Sequence, residues 1–158
     1  MSYHEQLYGE INDLNFLYSL INKYTNYRSL NYNFYDFGSG YGNIVLSYND
    51  KFNKCFGIEI VKDRYDNAEK KNNYLNVYFK NTNFFNIKLE SKFVILINNL
   101  CFGKGTNKRL SLKILDESTS GDIIIVTKKL ILLNEYFRNG YLIDCTWGES
   151  EIYIYIYD

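Results

Sequence analysis

The sequence predicts an α/β fold, a doubly wound and mostly parallel sheet that ends in an antiparallel hairpin. Three observations carry this. Short apolar runs alternate with helix-period segments from Tyr32 to Lys128, the pattern of strand–helix–strand crossovers. A glycine-rich turn, Asp36-Phe37-Gly38-Ser39-Gly40-Tyr41-Gly42-Asn43, follows the first run. The last two runs are separated only by Gly148–Glu151, too short for a crossover, so they pair antiparallel.

Taken in order, Ile11–Tyr24 reads as a helix with Leu14, Leu17, Tyr18 and Ile21 on one face. Strands are expected at Tyr32–Phe37, Lys54–Ile60, Asn76–Lys80, Phe93–Asn98, Asp122–Lys128, Tyr141–Trp147 and Ile152–Tyr157. Helices are expected between them at Asn43–Tyr48, Lys62–Asn72, Gly105–Glu117 and Lys129–Arg138. The run Phe93-Val94-Ile95-Leu96-Ile97 is wholly apolar and reads as a central strand buried on both faces. The run Glu151–Asp158 alternates Tyr with Ile, so one of those faces belongs to the core and the other is left for a site.

Composition narrows the function classes. A chain of 158 residues with 46% hydrophobic content is expected to form one domain with a full core. Lys+Arg and Asp+Glu are both 18, so no overall charge draws the chain to nucleic acid. Lys104, Lys108, Arg109, Lys113, Lys128, Lys129 and Arg138 make the latter half locally basic, as a solvated face would. Cys55, Cys101 and Cys145 are far apart, and His4 is the one histidine. That disfavours a metal centre, a disulfide framework and Cys–His catalysis, and points to a reducing, intracellular compartment. Met1 to Glu10 is polar, unlike a signal peptide, and no apolar run is long enough to span a membrane.

The glycine-rich turn carries the first chemistry. Glycines let the backbone approach a ligand closely, and the following helix offers free N–H groups. A second apolar run, Phe56-Gly57-Ile58-Glu59, ends in a carboxylate 23 residues after Asp36. An acid about 20 residues beyond such a turn, at a strand end, is placed to accept hydrogen bonds from ribose hydroxyls. The pattern reads as a nucleoside site at the carboxyl ends of two parallel strands. A dinucleotide fold would carry G-x-G-x-x-G, whereas here Asn43 stands where the last glycine or alanine belongs. The D-x-G-S-G-x-G form resembles that of class I methyltransferases, which use S-adenosylmethionine.

The second constellation is Asn98-Asn99-Leu100-Cys101-Phe102-Gly103, at the carboxyl end of the fourth strand. Ligands bind at that end in doubly wound sheets. A side-chain amide there can orient a substrate amine through its carbonyl oxygen, with Phe102 as an apolar wall. A polar turn with Asn chosen for its geometry is the plainer reading.

In order along the chain, Tyr8-Gly9-Glu10, Asp36 to Asn43, Gly57-Ile58-Glu59, Asn98 to Gly103 and Cys145-Thr146-Trp147 with Ile152-Tyr153 resemble one family. It is the disruptor-of-telomeric-silencing (Dot-one-like) histone-lysine methyltransferases, which lack a SET domain. Their motifs are Y-G-E, D-L-G-S-G-x-G-Q, G-x-E, N-N-F-x-F-G, and S-W-T with Y-Y.

The resemblance implies a seven-stranded class I methyltransferase (Rossmann-like) sheet in a single domain over 1–158. Residues 1–28 would form an N-terminal helical lid and 29–158 the catalytic sheet. The chain looks like a minimal catalytic core. S-adenosylmethionine, leaving as S-adenosylhomocysteine, would be the cofactor, with no metal. Tyr8 and Glu10 would cover its methionine end, and Asp36, Gly38, Gly40 and Asn43 would contact it. Glu59 would hold the ribose, and Asn83-Phe84 the adenine, with Asn83 where the family has Asp. Asn98, Phe102, Trp147 and Tyr153 would form the lysine channel, with Tyr155 as a fallback. The partner implied is a histone in a nucleosome, with weak contact to nucleosomal DNA, no membrane, and a nuclear location.

Two other readings stay open. Asn99-Leu100-Cys101-Phe102 is similar to the N-P-P-Y/F loop of adenine-amino and glutamine-amide methyltransferases, without the prolines that stiffen it. That reading makes Asn99, not Asn98, the key residue. The other is a non-catalytic subunit with the same fold, against which Asp36, Gly38, Gly40 and Glu59 all stand.

Overall fold

The computed structural model describes residues 9–158, so Tyr8 and His4 lie outside the described residues. Seven strands form one sheet in the order β3-β2-β1-β4-β5-β7-β6. They are β1 (Asn33–Phe37), β2 (Lys54–Ile58), β3 (Val77–Lys80), β4 (Phe93–Ile97), β5 (Ile123–Val126), β6 (Phe137–Cys145) and β7 (Gly148–Ile156). The first five are parallel, while β7 runs antiparallel to both β5 and β6. The doubly wound sheet with a closing hairpin is thus as the alternation predicts.

Helix α1 (Leu14–Tyr24) starts where the Asp13 carboxylate accepts the Phe16 N–H at 3.0 Å, and buries Leu17, Leu20 and Ile21. Helices α2 (Asn43–Ser47), α3 (Lys62–Lys71) and α4 (Lys104–Glu117) follow β1, β2 and β4. Strand alternation divides the core in two. Phe34, Val94, Leu96, Ile123, Ile125, Ile152 and Ile154 join residues of α1 and α2 on one face. Tyr35, Phe37, Ile95, Ile97, Ile124, Val126 and Tyr155 join Leu110 and Ile114 of α4 on the other. Tyr155, Ile152 and Ile154 of β7 are all fully buried.

Asp122 ties the amino ends of β4 and β5 together. It is wholly buried and accepts hydrogen bonds from the Phe93 N–H (2.9 Å), the Thr119 N–H (2.7 Å) and the Ser91 hydroxyl (2.7 Å). Asp122→Ala strands the buried Phe93 N–H and takes the acceptor from the Thr119 N–H and the Ser91 hydroxyl, a cost of about 3 to 5 kcal/mol. A thermal melt is expected to show Tm down by roughly 10 °C or more. A shift within a degree or two would deny Asp122 this role.

Two expectations are corrected. Lys129–Arg138 is not a helix: a 3-10 turn covers Ile131–Tyr136, and Phe137 already opens β6. Burial of Leu130 and Leu133 and packing of Phe137 against Tyr155 at 5.5 Å pull this stretch onto the sheet. The hairpin turn is also earlier than Gly148–Glu151. Cys145 pairs with Gly148, so Thr146-Trp147 forms a two-residue loop, followed by Gly148 at φ +117°.

Candidate functional site

The carboxyl ends of β1, β4 and β5 open onto a cleft, and the segment before α1 crosses it. Gly9, Glu10 and Ile11 line one wall, with Asp36, Gly38, Ser39, Leu96, Asn98 and Thr127 opposite. Strand parity brings the polar groups together. Asp36 lies between Tyr35 and Phe37, Asn98 follows Ile97, and Thr127 follows Val126, all apolar residues of the α4 face. The three polar side chains therefore fall on the other face.

The glycine turn is shaped from behind. A Cβ on Gly42, at φ +82°, would stand 2.6 Å from the Phe79 ring. A Cβ on Gly38, at φ +84°, would meet nothing within 4 Å, so the front of the turn is open to a ligand. Glu59 is buried and clasps the turn: Oε1 accepts the Gly40 N–H at 2.7 Å and Oε2 the Val61 N–H at 2.9 Å. A carboxylate offers about four lone-pair sites, so two remain for further donors.

Asp36 is buried where the cleft meets the glycine turn. Burial pushes its carboxyl up to about 8, and the nearby carboxylates of Glu10 and Glu59 add to the shift. Tyr48, which donates to the Leu14 carbonyl at 2.7 Å, is also raised, by burial first and by Asp36 next. For stability the sign follows directly. Below the ordinary carboxyl value of 3.8, Asp36 is protonated folded and unfolded alike; up to about 8 only the folded chain keeps the proton. Its contribution is therefore present in acid and lost as pH rises through about 8. Asp36→Asn, a stand-in for the neutral acid, is expected to exceed the wild type in urea resistance at about pH 9 and match it near about pH 4. Equal curves at both values would refute the burial argument.

The hairpin tip and the crossing segment hold each other. The Thr146 N–H donates to the Glu10 carbonyl at 2.9 Å, and the Glu10 N–H to Thr146 Oγ1 at 3.1 Å. Ile11 bridges Cys145 in antiparallel fashion, and the Asn12 N–H reaches the Asp144 carbonyl at 2.9 Å. Trp147, 42% exposed, lies so close to Gly9 that a Cβ there would stand 2.7 Å from its ring. From the cleft side, Asn43 Nδ2 donates to Glu10 Oε1 at 3.0 Å, and Lys71 donates to Asn43 Oδ1 at 3.3 Å. Asn98 Nδ2 reaches the Gly9 carbonyl at 3.4 Å.

Asn98 and Asn99 differ sharply. Asn99 is 0% exposed: its Oδ1 accepts from the N–H groups of Thr127 (3.1 Å) and Lys128 (2.9 Å), and its Nδ2 donates to Asn107 Oδ1 (3.0 Å) and the Lys128 carbonyl (2.9 Å). It fastens β4 to β5 and faces no ligand. Asn98 is half-buried at the cleft, and its Oδ1 accepts the Thr127 hydroxyl at 2.9 Å.

Other expected residues go elsewhere. Phe84 stacks on Phe37 at 4.9 Å and on Phe102 at 5.8 Å, so Phe102 stands with the Asn83-Phe84 pair and outside the cleft lining. Asn83 Oδ1 caps that turn by accepting the Phe85 N–H at 2.9 Å. Tyr153 faces the α4 side, where its hydroxyl bonds Glu151 and Lys129 lies over its ring at 5.4 Å. It lines a separate groove with Phe137 and Gly140. Tyr155 is core, its hydroxyl accepting the Leu130 N–H at 3.0 Å. Conversely, Ser39, Thr127 and Thr146 were not singled out from sequence. Thr127 had a legible signal, a polar residue just past an apolar strand at its carboxyl end.

The cleft fits S-adenosylmethionine by its own features: the open face at Gly38, the Glu10 carboxylate suited to a cation, and a buried Ser39 Oγ with no hydrogen bond among the described residues. Among the described residues no group of three or more His, Cys, Asp or Glu could hold a metal, and no helix is long and apolar enough to cross a membrane.

Comparison with known proteins agrees on fold and family. The sequence pattern of the family described as "Histone methylation protein DOT1" matches residues 1–143. No curated protein matches. Among solved structures, the N-methyltransferase NodS from Bradyrhizobium japonicum WM9 superposes with TM-score 0.71 at 7% identity, covering 92% of this chain and 97% of that one. An RNA methyltransferase from Salinibacter ruber, in complex with S-adenosyl-L-homocysteine, gives 0.65 at 17% identity over 87% and 90%. Magnesium protoporphyrin IX methyltransferase from Synechocystis PCC 6803, with bound SAM, gives 0.67 at 11% over 92% and 79%. At these identities the likeness is one of fold.

Proposed function

We propose that this chain, which belongs to the histone methylation protein DOT1 family, carries a methyl group from S-adenosylmethionine to a lysine amine of a histone. The chain is an S-adenosylmethionine-dependent methyltransferase. The observation that carries the substrate reading is Asn98, whose half-buried amide shares one cleft with Asp36 and Gly38.

Asp36, Gly38, Gly40 and Asn43 would hold the cofactor, with Glu10 and Tyr8 over its methionine end. Glu59 would take the ribose and Phe84 the adenine side, with Phe102 beside it. The bound cofactor supplies an electrophilic methyl group on a sulfonium, which leaves without needing a proton. The chain's task is therefore to present a neutral amine in line. A free lysine ammonium has a pKa of about 10.4, and desolvation against Trp147 and the crossing segment favours its neutral form. The Asn98 carbonyl oxygen would then orient that amine, and no histidine base is needed.

The reading with Asn99 as the key residue is disfavoured, because four hydrogen bonds enclose that amide and leave it no exposure. We also read 1–158 as one catalytic domain with the N-terminal residues as its lid. A nucleosome is the substrate form proposed, in the nucleus, with DNA touched through local basic residues. The test is radiolabelled-methyl transfer to nucleosomes, free histones, a cell extract and RNA in parallel. Label on histone lysine is expected; label on RNA alone overturns the reading.

A further inference from the structure

We propose that Thr127 is a positioning residue for methyl transfer, which holds the Asn98 amide in place through its carbonyl oxygen; this rests on the lysine-methylation reading above. The argument is a count of donors and acceptors. The Thr127 hydroxyl has one proton and two carbonyl acceptors in reach, Asn98 Oδ1 at 2.9 Å and Asn99 Oδ1 at 3.3 Å. Asn99 Oδ1 is already satisfied by the backbone N–H groups of Thr127 and Lys128. The proton therefore goes to Asn98, where the bond is also shorter.

That bond anchors one end of the amide. With Oδ1 held on Thr127, Nδ2 turns to the Gly9 carbonyl at 3.4 Å. The Gly9 carbonyl only accepts, so it selects the Nδ2 end, and the shorter Thr127 bond holds the Oδ1 end in place. Thr127 itself is anchored through its own N–H on Asn99, and that anchor survives a change of side chain. Asn99 thus fixes Thr127, Thr127 fixes Asn98, and Asn98 presents its remaining carbonyl lone pair to the amine. The same amide touches the segment that crosses the cleft.

The variants are Thr127→Val, which is isosteric and lacks the hydroxyl, and Thr127→Ser, which keeps it. The readouts are side-chain amide ¹⁵N relaxation of Asn98, the dissociation constant for S-adenosylhomocysteine, and kcat and KM for methyl transfer. In T127V the Asn98 amide is expected to become mobile and kcat to fall about tenfold, the worth of one such hydrogen bond, with cofactor affinity little changed. T127S is expected to keep a rigid amide and most of kcat. An Asn98 amide as ordered in T127V as in the wild type overturns the proposal, and so does an unchanged kcat. If the wild type methylates no acceptor, the lysine reading fails, while amide order in T127V still decides the role of Thr127.

Discussion

Asn98→Ala is expected to abolish methyl transfer while leaving cofactor binding nearly intact. The side chain contributes no hydrogen bond to the glycine turn or to Glu59, so the cofactor's own supports stay in place. What is lost is the group that orients the amine. Misplacing a reacting group by even one ångström costs about 100-fold in rate, so kcat should fall by that order or more. Calorimetry with S-adenosylhomocysteine should show affinity within about threefold of wild type, a change under 1 kcal/mol. Turnover that survives in Asn98→Ala would remove this residue from the mechanism. Asn99→Ala should instead unfold the β4–β5 junction, since that amide makes four hydrogen bonds in the core.

Glu59→Ala should have the opposite signature, with binding lost first. Its two carboxylate oxygens hold the Gly40 and Val61 N–H groups at 2.7 and 2.9 Å, and the side chain is buried. Removing it leaves both donors without their charged partner and frees the turn that the three glycines make. Charge-assisted hydrogen bonds contribute about 1.5 to 3 kcal/mol each, so a loss of about 3 kcal/mol in cofactor binding, or roughly 100-fold, is expected. Calorimetry checks this directly. Glu59→Gln, which keeps one acceptor oxygen, should fall between. An Ala variant that binds as well as wild type would remove Glu59 from the cofactor site.

Much of the cofactor side was legible in the chain because its chemistry is local. Asp36, Gly38, Gly40 and Asn43 lie within eight consecutive residues, and Glu59 ends the next strand. Their relation needs only one β–α–β unit, whose geometry is nearly invariant. The substrate side was less legible. Phe102 sits four residues past Asn98 in a loop, and its ring falls against Phe84 instead of the cleft. Tyr153 lies in a strand whose two faces, Tyr and Ile, are both apolar, so periodicity does not say which one turns toward the site. Lys129–Arg138 had the composition of a helix, but long-range burial of Leu130, Leu133 and Phe137 overrode propensity.

The succession of strands and helices along the chain and a nucleoside site at the ends of two of those strands are properties of the sequence alone. They follow from alternating periodicity, from glycines that admit positive φ, and from acids at strand ends. Which neighbour of a pair does the work was decided only in three dimensions. Asn98 and Asn99 are the same side chain one position apart, and strand parity sends one to the cleft and the other into the core. Thr127, just past β5 and 29 residues along the chain, then holds the Asn98 carbonyl oxygen. Trp147 reaches Gly9 of the crossing segment only because the hairpin tip pairs with Glu10 across a sequence separation of 136 residues. Contacts of that range depend on packing of the whole sheet, and no local pattern of residues encodes them.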